Sequence, residues 1–369
     1  MPRRPRRAEI SSGKALRRSS AVLGVGGTAG TFLALSMAAA PAAHADIEDL
    51  IFQPIIDAIS HAAASIDPGA FDTALDTGSL AVPASELGTA TDVSVPLSIS
   101  DTTEPLTQLS VNGGSPVEAL VDSGSDGLVI PWQNLGLETL DFFPVGAGIG
   151  AYSGGLDYFY VTLDLPVNFD GVATTTSPVD VELFSFPTTF QSFFANDGAQ
   201  AVLGIGPDAV GPGPSDFTST LPGGGEGVFI DEKTDTLEFG PNPDAASGDV
   251  TVNGIANAPL DVKVTLPDEQ PVSDQVSGII DSGGVFGTIP SSLAPGVPVG
   301  DTLPVGSVVS VDDTIGQPLF SYEVTNVNDS PTVVSGNTLD TGYYPFANGP
   351  IYLDTSGDQT IFDNLSAAE

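Results

Sequence analysis

The chain contains no cysteine among its 369 residues and only two histidines, His44 and His61. The lack of cysteine excludes thiol catalysis, a disulfide framework and a cysteine-ligated zinc site. A Ser-His-Asp triad would have to use one of the two histidines, and a histidine-rich metal site cannot be built. Carboxylates are the abundant acid–base groups that remain. We expect neither a cofactor nor a metal.

Basic residues are almost absent from most of the chain. Seven of the nine lysines and arginines lie within the first 18 positions, and only Lys233 and Lys263 follow them, whereas 47 residues are acidic and the net charge is −38. A shortage of bases, rather than an excess of acids, creates this imbalance. Because binding phosphates needs cationic side chains, we expect no nucleic-acid partner. Such a surface suits an acidic working environment.

The basic N-terminus is followed by an apolar run and a small-residue site. Ala21–Ala40 is rich in Ala, Gly and Leu, and Ala43-His44-Ala45 comes after it. This order predicts a secretory signal peptide over residues 1–45, with a weak transmembrane helix as the alternative. We therefore expect a secreted or cell-envelope-associated protein. Arg17-Arg18 leaves the choice between the general secretory and twin-arginine routes open.

The next segment, residues 46–90, differs from everything after it. Isoleucine and leucine recur at roughly helical spacing over Asp46–Ser65, and Pro54 marks either a kink or the true start of a helix. The pattern predicts an amphipathic helix and a linker. Three roles stay open: a removable prosegment, a helix that docks a partner, or a helix packed on the body of the protein.

From Asp92 onward the sequence is typical of an all-β protein. Short apolar or alternating runs are separated by clusters of Gly, Pro, Asn and Asp, without a long helical pattern. The part of the chain from Asp92 to the C-terminus is long enough for two lobes. We place them at residues 91–215 and 216–369, with Gly211–Ser215 and Gly223–Gly227 flanking the junction. The predicted strands are Val93–Ser98, Leu106–Val111, Tyr158–Leu165, Val179–Phe184, Val228–Phe239, Val250–Val252, Leu260–Leu266, Val308–Val311 and Tyr352–Leu353.

Two eleven-residue segments are near copies of each other, and each holds an aspartate within Asp-Ser-Gly. They are Val121–Pro131 and Ile280–Pro290; five positions are identical, and Asp122 and Asp281 lie 159 residues apart. A single Asp-Ser-Gly is most simply a turn. A duplicated half that brings one carboxylic acid to a shared centre is instead how a two-lobed aspartic protease is built.

Two carboxyl groups held close together can hydrolyse a peptide bond without a metal or a covalent nucleophile. Because they cannot both ionise, they share one proton; one acts as general base on a water, the other as general acid. Gly124 and Gly283 permit a tight loop after each aspartate. The hydroxyls of Ser123 and Ser282 can bond the opposite loop and help to align the carboxylates.

Asp-Ser-Gly or Asp-Thr-Gly is a weak pattern on its own, and the chain has four copies. A predicted hairpin leads into Asp122, and the run Val276–Ile280 leads into Asp281. Asp76-Thr77-Gly78 follows the helical segment without such a hairpin, and Asp340-Thr341-Gly342 lies too near the C-terminus to be followed by a lobe. We therefore assign the catalytic pair to Asp122 and Asp281.

Over roughly Val93 to Asp354 the sequence resembles the pepsin-like aspartic proteases, and most closely the mycobacterial PE-family enzymes, although the resemblance does not extend to a PE domain. Ala201-Val202-Leu203-Gly204 is similar to the strand that crosses behind the first catalytic loop of that family. Asn337–Phe346 with Pro350–Asp354 resembles the closing strands, with Gly342 as the matching glycine. The resemblance implies a bilobal double β-barrel with its active site between the lobes.

The resemblance also implies roles for individual residues. Asp122 and Asp281 would form the dyad, and Ser125 would support the first aspartate with its hydroxyl. Gly284 stands where many pepsin-like enzymes have a second Ser or Thr, so the matching support is missing from the second loop. The segment around Tyr152, just before a predicted strand, resembles the flap hairpin that covers the cleft.

We expect a protein or peptide substrate and a monomeric enzyme, and the resemblance implies secreted cell-envelope proteins as substrates. Two other classes of function stay open. One is a pepsin fold that has lost catalysis and binds a peptide or a glycan in its cleft. The other is an acidic β-sandwich that binds Ca²⁺, although the sequence has no loop with the regularly spaced oxygen ligands of an EF-hand.

Overall fold

The computed structural model describes residues 92–101, 103–136, 144–207, 209, 217–246 and 248–363. The predicted signal peptide, the segment 46–90 and the motif at Asp76 lie outside these residues, so those expectations stay predictions. Within the described ranges, no helix combines the length and the apolarity that crossing a lipid bilayer requires.

Short strands dominate the described chain, as the sequence predicts. Asn112 and Gly113 have positive φ angles in the turn that joins the two strands leading into Asp122. Asn and Gly adopt this left-handed backbone conformation more readily than other residues. In the described residues, two short α-helices, α1 (Phe190–Phe193) and α2 (Tyr344–Asn348), and three 3₁₀ turns interrupt the strands. The strands are β1 Val93–Pro96, β2 Ser98–Ser100, β3 Glu104–Val111, β4 Val117–Asp122, β5 Asp126–Pro131, β6 Gly146–Tyr152, β7 Leu156–Phe169, β8 Ala173–Phe186, β9 Ala201–Ile205, β10 Val228–Asp231, β11 Thr236–Phe239, β12 Val250–Asn253, β13 Ala258–Thr265, β14 Val272–Ile279, β15 Thr288–Pro290, β16 Val308–Asp312, β17 Pro318–Glu323, β18 Thr332–Val334, β19 Thr338–Asp340, β20 Ile351–Asp354 and β21 Gln359–Phe362.

The first Asp-Ser-Gly segment belongs to an eight-stranded sheet with the order β2-β3-β4-β9-β5-β8-β7-β6. Strands β3 and β4 form the expected hairpin, with Leu106 opposite Leu120. Strand β9 pairs in parallel with β4 and antiparallel with β5, so it lies between the strands that precede and follow Asp122. Gly204 stands opposite Asp122, which confirms the predicted crossing strand.

The second segment belongs to a seven-stranded sheet with the order β17-β16-β13-β14-β19-β15-β18. Its centre repeats the first sheet, because β19 pairs in parallel with β14 and antiparallel with β15. Ile279 stands opposite Asp340, two residues before Asp281, just as Leu120 stands opposite Val202, two residues before Asp122. The sequence duplication is therefore also a duplication of strand pairing.

A third sheet, with the order β1-β11-β10-β20-β21-β12, joins strands from both halves of the chain. The single run predicted over Val228–Phe239 was wrong: it folds back as the hairpin β10–β11, with Asp235 at positive φ before the second strand. Part of Asn337–Phe346, expected to be strand, forms the start of α2. The lobe boundaries at 215 and 216 stay a prediction.

Candidate active site

Asp122 is the last residue of β4, and its side chain is completely buried. The loop that follows fixes both of its carboxylate oxygens. Gly124 N–H donates to Oδ1 at 2.9 Å, and Ser125 Oγ donates to Oδ2 at 2.5 Å. Ser125 therefore makes the contact that the family resemblance implied for it.

Asp281 lies two residues beyond β14 and is equally buried. Gly283 N–H donates to its Oδ1 at 3.0 Å, which repeats the contact of Gly124 with Asp122. Its own backbone N–H donates to Thr341 Oγ1 at 3.1 Å. Within the described residues, no N–H or hydroxyl group donates to Asp281 Oδ2, the counterpart of the oxygen that Ser125 contacts in the first loop.

The two carboxyl groups face each other because each motif has a glycine in third place. A Cβ added to Gly124 would lie 2.4 Å from Cγ of Asp281, and a Cβ added to Gly283 would lie 2.7 Å from Oδ1 of Asp122. Each carboxyl therefore rests against the backbone of the opposite loop. A side chain at either glycine would occupy the space that the opposing acid fills.

The serines of the two motifs lock the loops together by reciprocal hydrogen bonds. Ser123 Oγ accepts from Ser282 N–H at 2.9 Å and donates to the Ile280 carbonyl at 2.6 Å. Ser282 Oγ accepts from Ser123 N–H at 3.0 Å and donates to the Val121 carbonyl at 2.7 Å. All four bonds are buried, where loss of one partner is costly. They hold the two aspartates in a fixed relation.

The surroundings of the pair favour the neutral form of its acids. Burial raises the pKa of Asp122, while hydrogen bonds from Ser125 and Gly124 act in the opposite direction. The pKa of Asp281 is raised well above its ordinary value, first by burial and then by the nearby carboxylates of Asp340 and Asp122. The pair therefore titrates as a unit that retains one proton at acidic pH.

Asp340 is the residue that the sequence reasoning missed. It was set aside because its motif lies near the C-terminus, yet it is buried on β19 next to Asp281. Gly342 N–H donates to its Oδ1 at 2.9 Å. Burial raises the pKa of Asp340 to about 7, with a further increase from the charge of Asp122. The Asp-Thr-Gly sequence around Asp340 is the available signal, and it marks a strand beside Asp281 rather than the start of another lobe.

Tyr152 ends β6 and begins the turn of the β6–β7 hairpin, in the place predicted for a flap. The ring is buried, stacks on Tyr158 at 5.2 Å and meets Phe194 edge-on at the same distance. Burial raises the pKa of Tyr152 well above its ordinary value, and the charge of Asp122 adds to this effect. The tyrosine is thus within electrostatic reach of the dyad; the flap role stays a prediction.

No group of three or more His, Asp or Glu side chains in the described part of the chain is arranged to hold a metal ion.

We expect the protein to be more stable at pH 4.5 than at pH 7.5. Burial is the main cause of a raised pKa at several carboxyls, among them Glu104, Asp180 and Asp340 at about 7, Glu232 at about 8 and Asp363 at about 6. A group whose pKa is raised on folding contributes stability below its unfolded pKa and loses it as pH rises through the folded value. The Tm should therefore decrease as the pH rises from about 4 to about 8.

The measurement is a series of thermal unfolding scans from pH 4 to pH 8. A double variant, Glu104→Gln with Glu232→Gln, is the control, since it removes two of these groups and should reduce the slope of Tm against pH. Equal Tm values at pH 4.5 and pH 7.5 would contradict the expectation.

Comparison with known proteins agrees with the geometry. Residues 93–361 match the family described as the PE-PGRS C-terminal aspartyl peptidase-like domain. The chain is 39% identical over 300 residues to PE cleavage protein A of Mycobacterium tuberculosis (strain CDC 1551 / Oshkosh), covering 73% of this chain and 51% of that protein. It is 40% identical over 299 residues to PE cleavage protein A of Mycobacterium marinum, covering 73% and 52% respectively. The match thus spans about half the length of these relatives.

Among solved structures, the aspartic proteinase from Irpex lacteus aligns with a TM-score of 0.52 at 13% sequence identity, over 75% of this chain and 99% of that one. At this identity the likeness concerns the fold, and it confirms the all-β, pepsin-like prediction. The family match over residues 93–361 shows that the chain belongs to the PE-PGRS C-terminal aspartyl peptidase-like domain family.

Proposed function

We propose that this protein is a secreted aspartic endopeptidase that hydrolyses peptide bonds with a water activated between Asp122 and Asp281. One observation carries the proposal: each of the two carboxyls rests against the glycine of the opposite loop. Reciprocal serine hydrogen bonds hold the loops in that arrangement. Two acids that share a centre and a proton are suited to simultaneous acid and base catalysis.

The chemistry follows from the shared proton. The ionised carboxyl accepts a proton from the water as the water oxygen bonds to the peptide carbonyl carbon, and the neutral carboxyl donates its proton to the carbonyl oxygen. The tetrahedral diol then returns a proton to a carboxylate while the other acid protonates the nitrogen, and the C–N bond breaks. The products are a carboxylic acid and an amine, and the pair again holds one proton.

The motif serines are not suited to act as nucleophiles. The hydroxyl of Ser123 donates to the Ile280 carbonyl, and that of Ser282 donates to the Val121 carbonyl. Each hydroxyl proton is thus engaged in a buried contact, and neither oxygen has a neighbouring histidine to activate it, because the described residues contain none. Hydrolysis through water, without an acyl-enzyme, is the mechanism these contacts favour.

The substrate class and the location are inferred from the sequence and from the relatives. The name PE cleavage protein A describes cleavage of a PE protein by the relatives. For this chain we infer a protein or peptide substrate outside the cytoplasm, since the N-terminus has the pattern of a signal peptide. The net charge of −38 disfavours strongly acidic substrates. We expect the enzyme to act as a monomer.

The test is incubation of the protein, with and without residues 46–90, with a mixed peptide library between pH 3 and pH 7. Mass spectrometry identifies the cleaved bonds, and added hydroxylamine traps any acyl-enzyme as a hydroxamate. We expect internal cleavage, fastest at acidic pH, without hydroxamate products. A mock purification from cells lacking the gene controls for contaminating proteases. A folded protein that binds library peptides but cuts none would support the alternative of a catalytically inactive pepsin fold.

A further inference from the structure

The two halves of the site differ at one pair of positions. In the first half, Ser125 follows the aspartate by three residues, and Val202 lies on the crossing strand opposite Leu120. In the second half, the equivalent positions are Gly284 and Asp340. The second half thus has no hydroxyl at this loop position, and it has a carboxyl on the strand beside the loop.

The carboxyl of Asp340 occupies the space that a side chain at position 284 would fill. A Cβ built on Gly284 would lie 2.5 Å from Oδ1 of Asp340 and 2.9 Å from Oδ2 of Asp281. The side chain of Asp340 therefore lies where a side chain at position 284 would lie, beside the carboxylate oxygen that such a side chain would contact. In the first half, the equivalent oxygen of Asp122 receives the hydroxyl of Ser125.

We propose that Asp340 is a positioning residue for Asp281: in its protonated form it donates the hydrogen bond that Gly284 cannot supply. This inference rests on the proposed function of the dyad. It accounts for one buried oxygen, Oδ2 of Asp281, that receives no hydrogen bond from an N–H or hydroxyl group within the described residues. Oδ1 of Asp340 lies with it against the backbone of Gly284. Buried polar atoms are rarely left without a partner, and a carboxylic acid can donate to a neighbouring carboxylate.

The groups that face Asp340 favour its protonated form. They are the acids Asp122 and Asp281 and the phenol of Tyr322, none of which carries a positive charge. The described residues contain only two basic side chains; Lys233 donates to the Asn348 carbonyl, and Lys263 is exposed on β13. Three buried acids without a cation cannot all ionise. A proton on Asp340 lets Asp281 ionise within the pair.

At acidic pH Asp340 is neutral, so its charge no longer raises the pKa of Asp281, and removal of the donor should raise the pKa of the dyad and lower its activity. A hydrogen bond to a charged group has a strength equivalent to about one to two pKa units. For Asp340→Val we expect the acidic limb of the pH profile of kcat/KM to move up by about one unit, with at least a tenfold loss at the optimum. Asp340→Asn keeps the shape and a donor, so its acidic limb should stay at the wild-type position.

A rescue variant tests the idea most directly. Asp340→Val combined with Gly284→Ser gives the second half the two residues that the first half has. We expect this double variant to recover most of the activity lost in Asp340→Val and to return the acidic limb toward its wild-type position. Asp363→Asn, which changes a buried acid immediately after β21, controls for effects of removing any buried carboxyl and should leave the limb in place.

A titration of the unliganded proteins separates this inference from the proposed function. Carboxyl carbons of ¹³C-labelled aspartate report the pKa values of the dyad by NMR whether or not the protein cleaves peptides. We expect a higher dyad pKa in Asp340→Val than in the wild type, and its reversal in the double variant. The same dyad pKa in all four folded variants would overturn the role of Asp340, even if the enzyme is active. The expected shifts without cleavage would uphold it and contradict only the proposed activity.

Discussion

Asp122→Asn and Asp281→Asn are each expected to lower kcat/KM by at least about a thousandfold. Removal of a general acid–base group typically costs 10²- to 10⁴-fold, and here each carboxyl has to serve in both roles during one turnover. Asparagine keeps the size of the side chain, and its carbonyl oxygen can still accept the N–H of Gly124 or Gly283. The expected loss is therefore a loss of proton transfer rather than of loop geometry.

Thermal unfolding shows whether the variants remain folded. The pKa of Asp281 is raised by burial and by neighbouring acids, so its ionisation destabilises the folded state at neutral pH. Asp281→Asn removes that cost, and its Tm at pH 7.5 should equal or exceed that of the wild type. Activity is measured on a peptide taken from the library products, with Asp76→Asn as the matched control for the choice among the four motifs. More than a tenth of wild-type activity in either dyad variant would refute the assignment.

The contact between the two Asp-Ser-Gly loops was predictable because its determinants are local. Each aspartate lies in an eleven-residue frame that contains the glycine and the serine it needs, and the two frames share their apolar flanks. The reciprocal bonds of Ser123 and Ser282 follow once two such frames meet. Duplication in the sequence therefore indicated both the contact and its approximate symmetry.

Asp340 could not be placed in the same way, because its position depends on pairing between distant segments. Thr341, the residue after it, bonds the backbone of Asp281 across 60 residues of sequence. Only the parallel register of β14 and β19 brings these segments together. The hairpin over Val228–Phe239 was missed for a related reason: an apolar run gives the strand character but not the point at which the chain reverses.

The environment of Tyr152 also lay beyond the sequence. Its partners Tyr158 and Phe194 lie on β7 and at the end of α1. The sequence shows that these residues are aromatic, but it does not show that they pack against Tyr152. A tyrosine on a predicted hairpin is compatible both with a flap over the cleft and with an ordinary edge strand. The structure adds that this ring is packed into an aromatic cluster within reach of the charge of Asp122.

Gly124→Ala is expected to lower kcat/KM by about a hundredfold or more, although it adds a single methyl group to a residue with no acid–base role. The new Cβ would lie 2.4 Å from Cγ and 2.5 Å from both oxygens of Asp281. Real carbon atoms do not approach so closely, so the Asp281 carboxyl or the whole loop has to move. A displacement of about 1 Å in a catalytic group can cost about 10²-fold in rate.

The same methyl group should also destabilise the protein. Overpacking a well-filled interior costs about 1–3 kcal/mol, and for a domain of this size each kcal/mol lowers Tm by roughly 2–4 °C. Gly248→Ala is the matched control, because its added Cβ meets no atom within 4 Å; it should keep the wild-type activity and Tm. The measurements are kcat/KM on one peptide and Tm at pH 5 for both variants. Full activity in Gly124→Ala would mean that the two carboxyls need not lie against the opposite loops, and the geometry that carries the proposed function would be wrong.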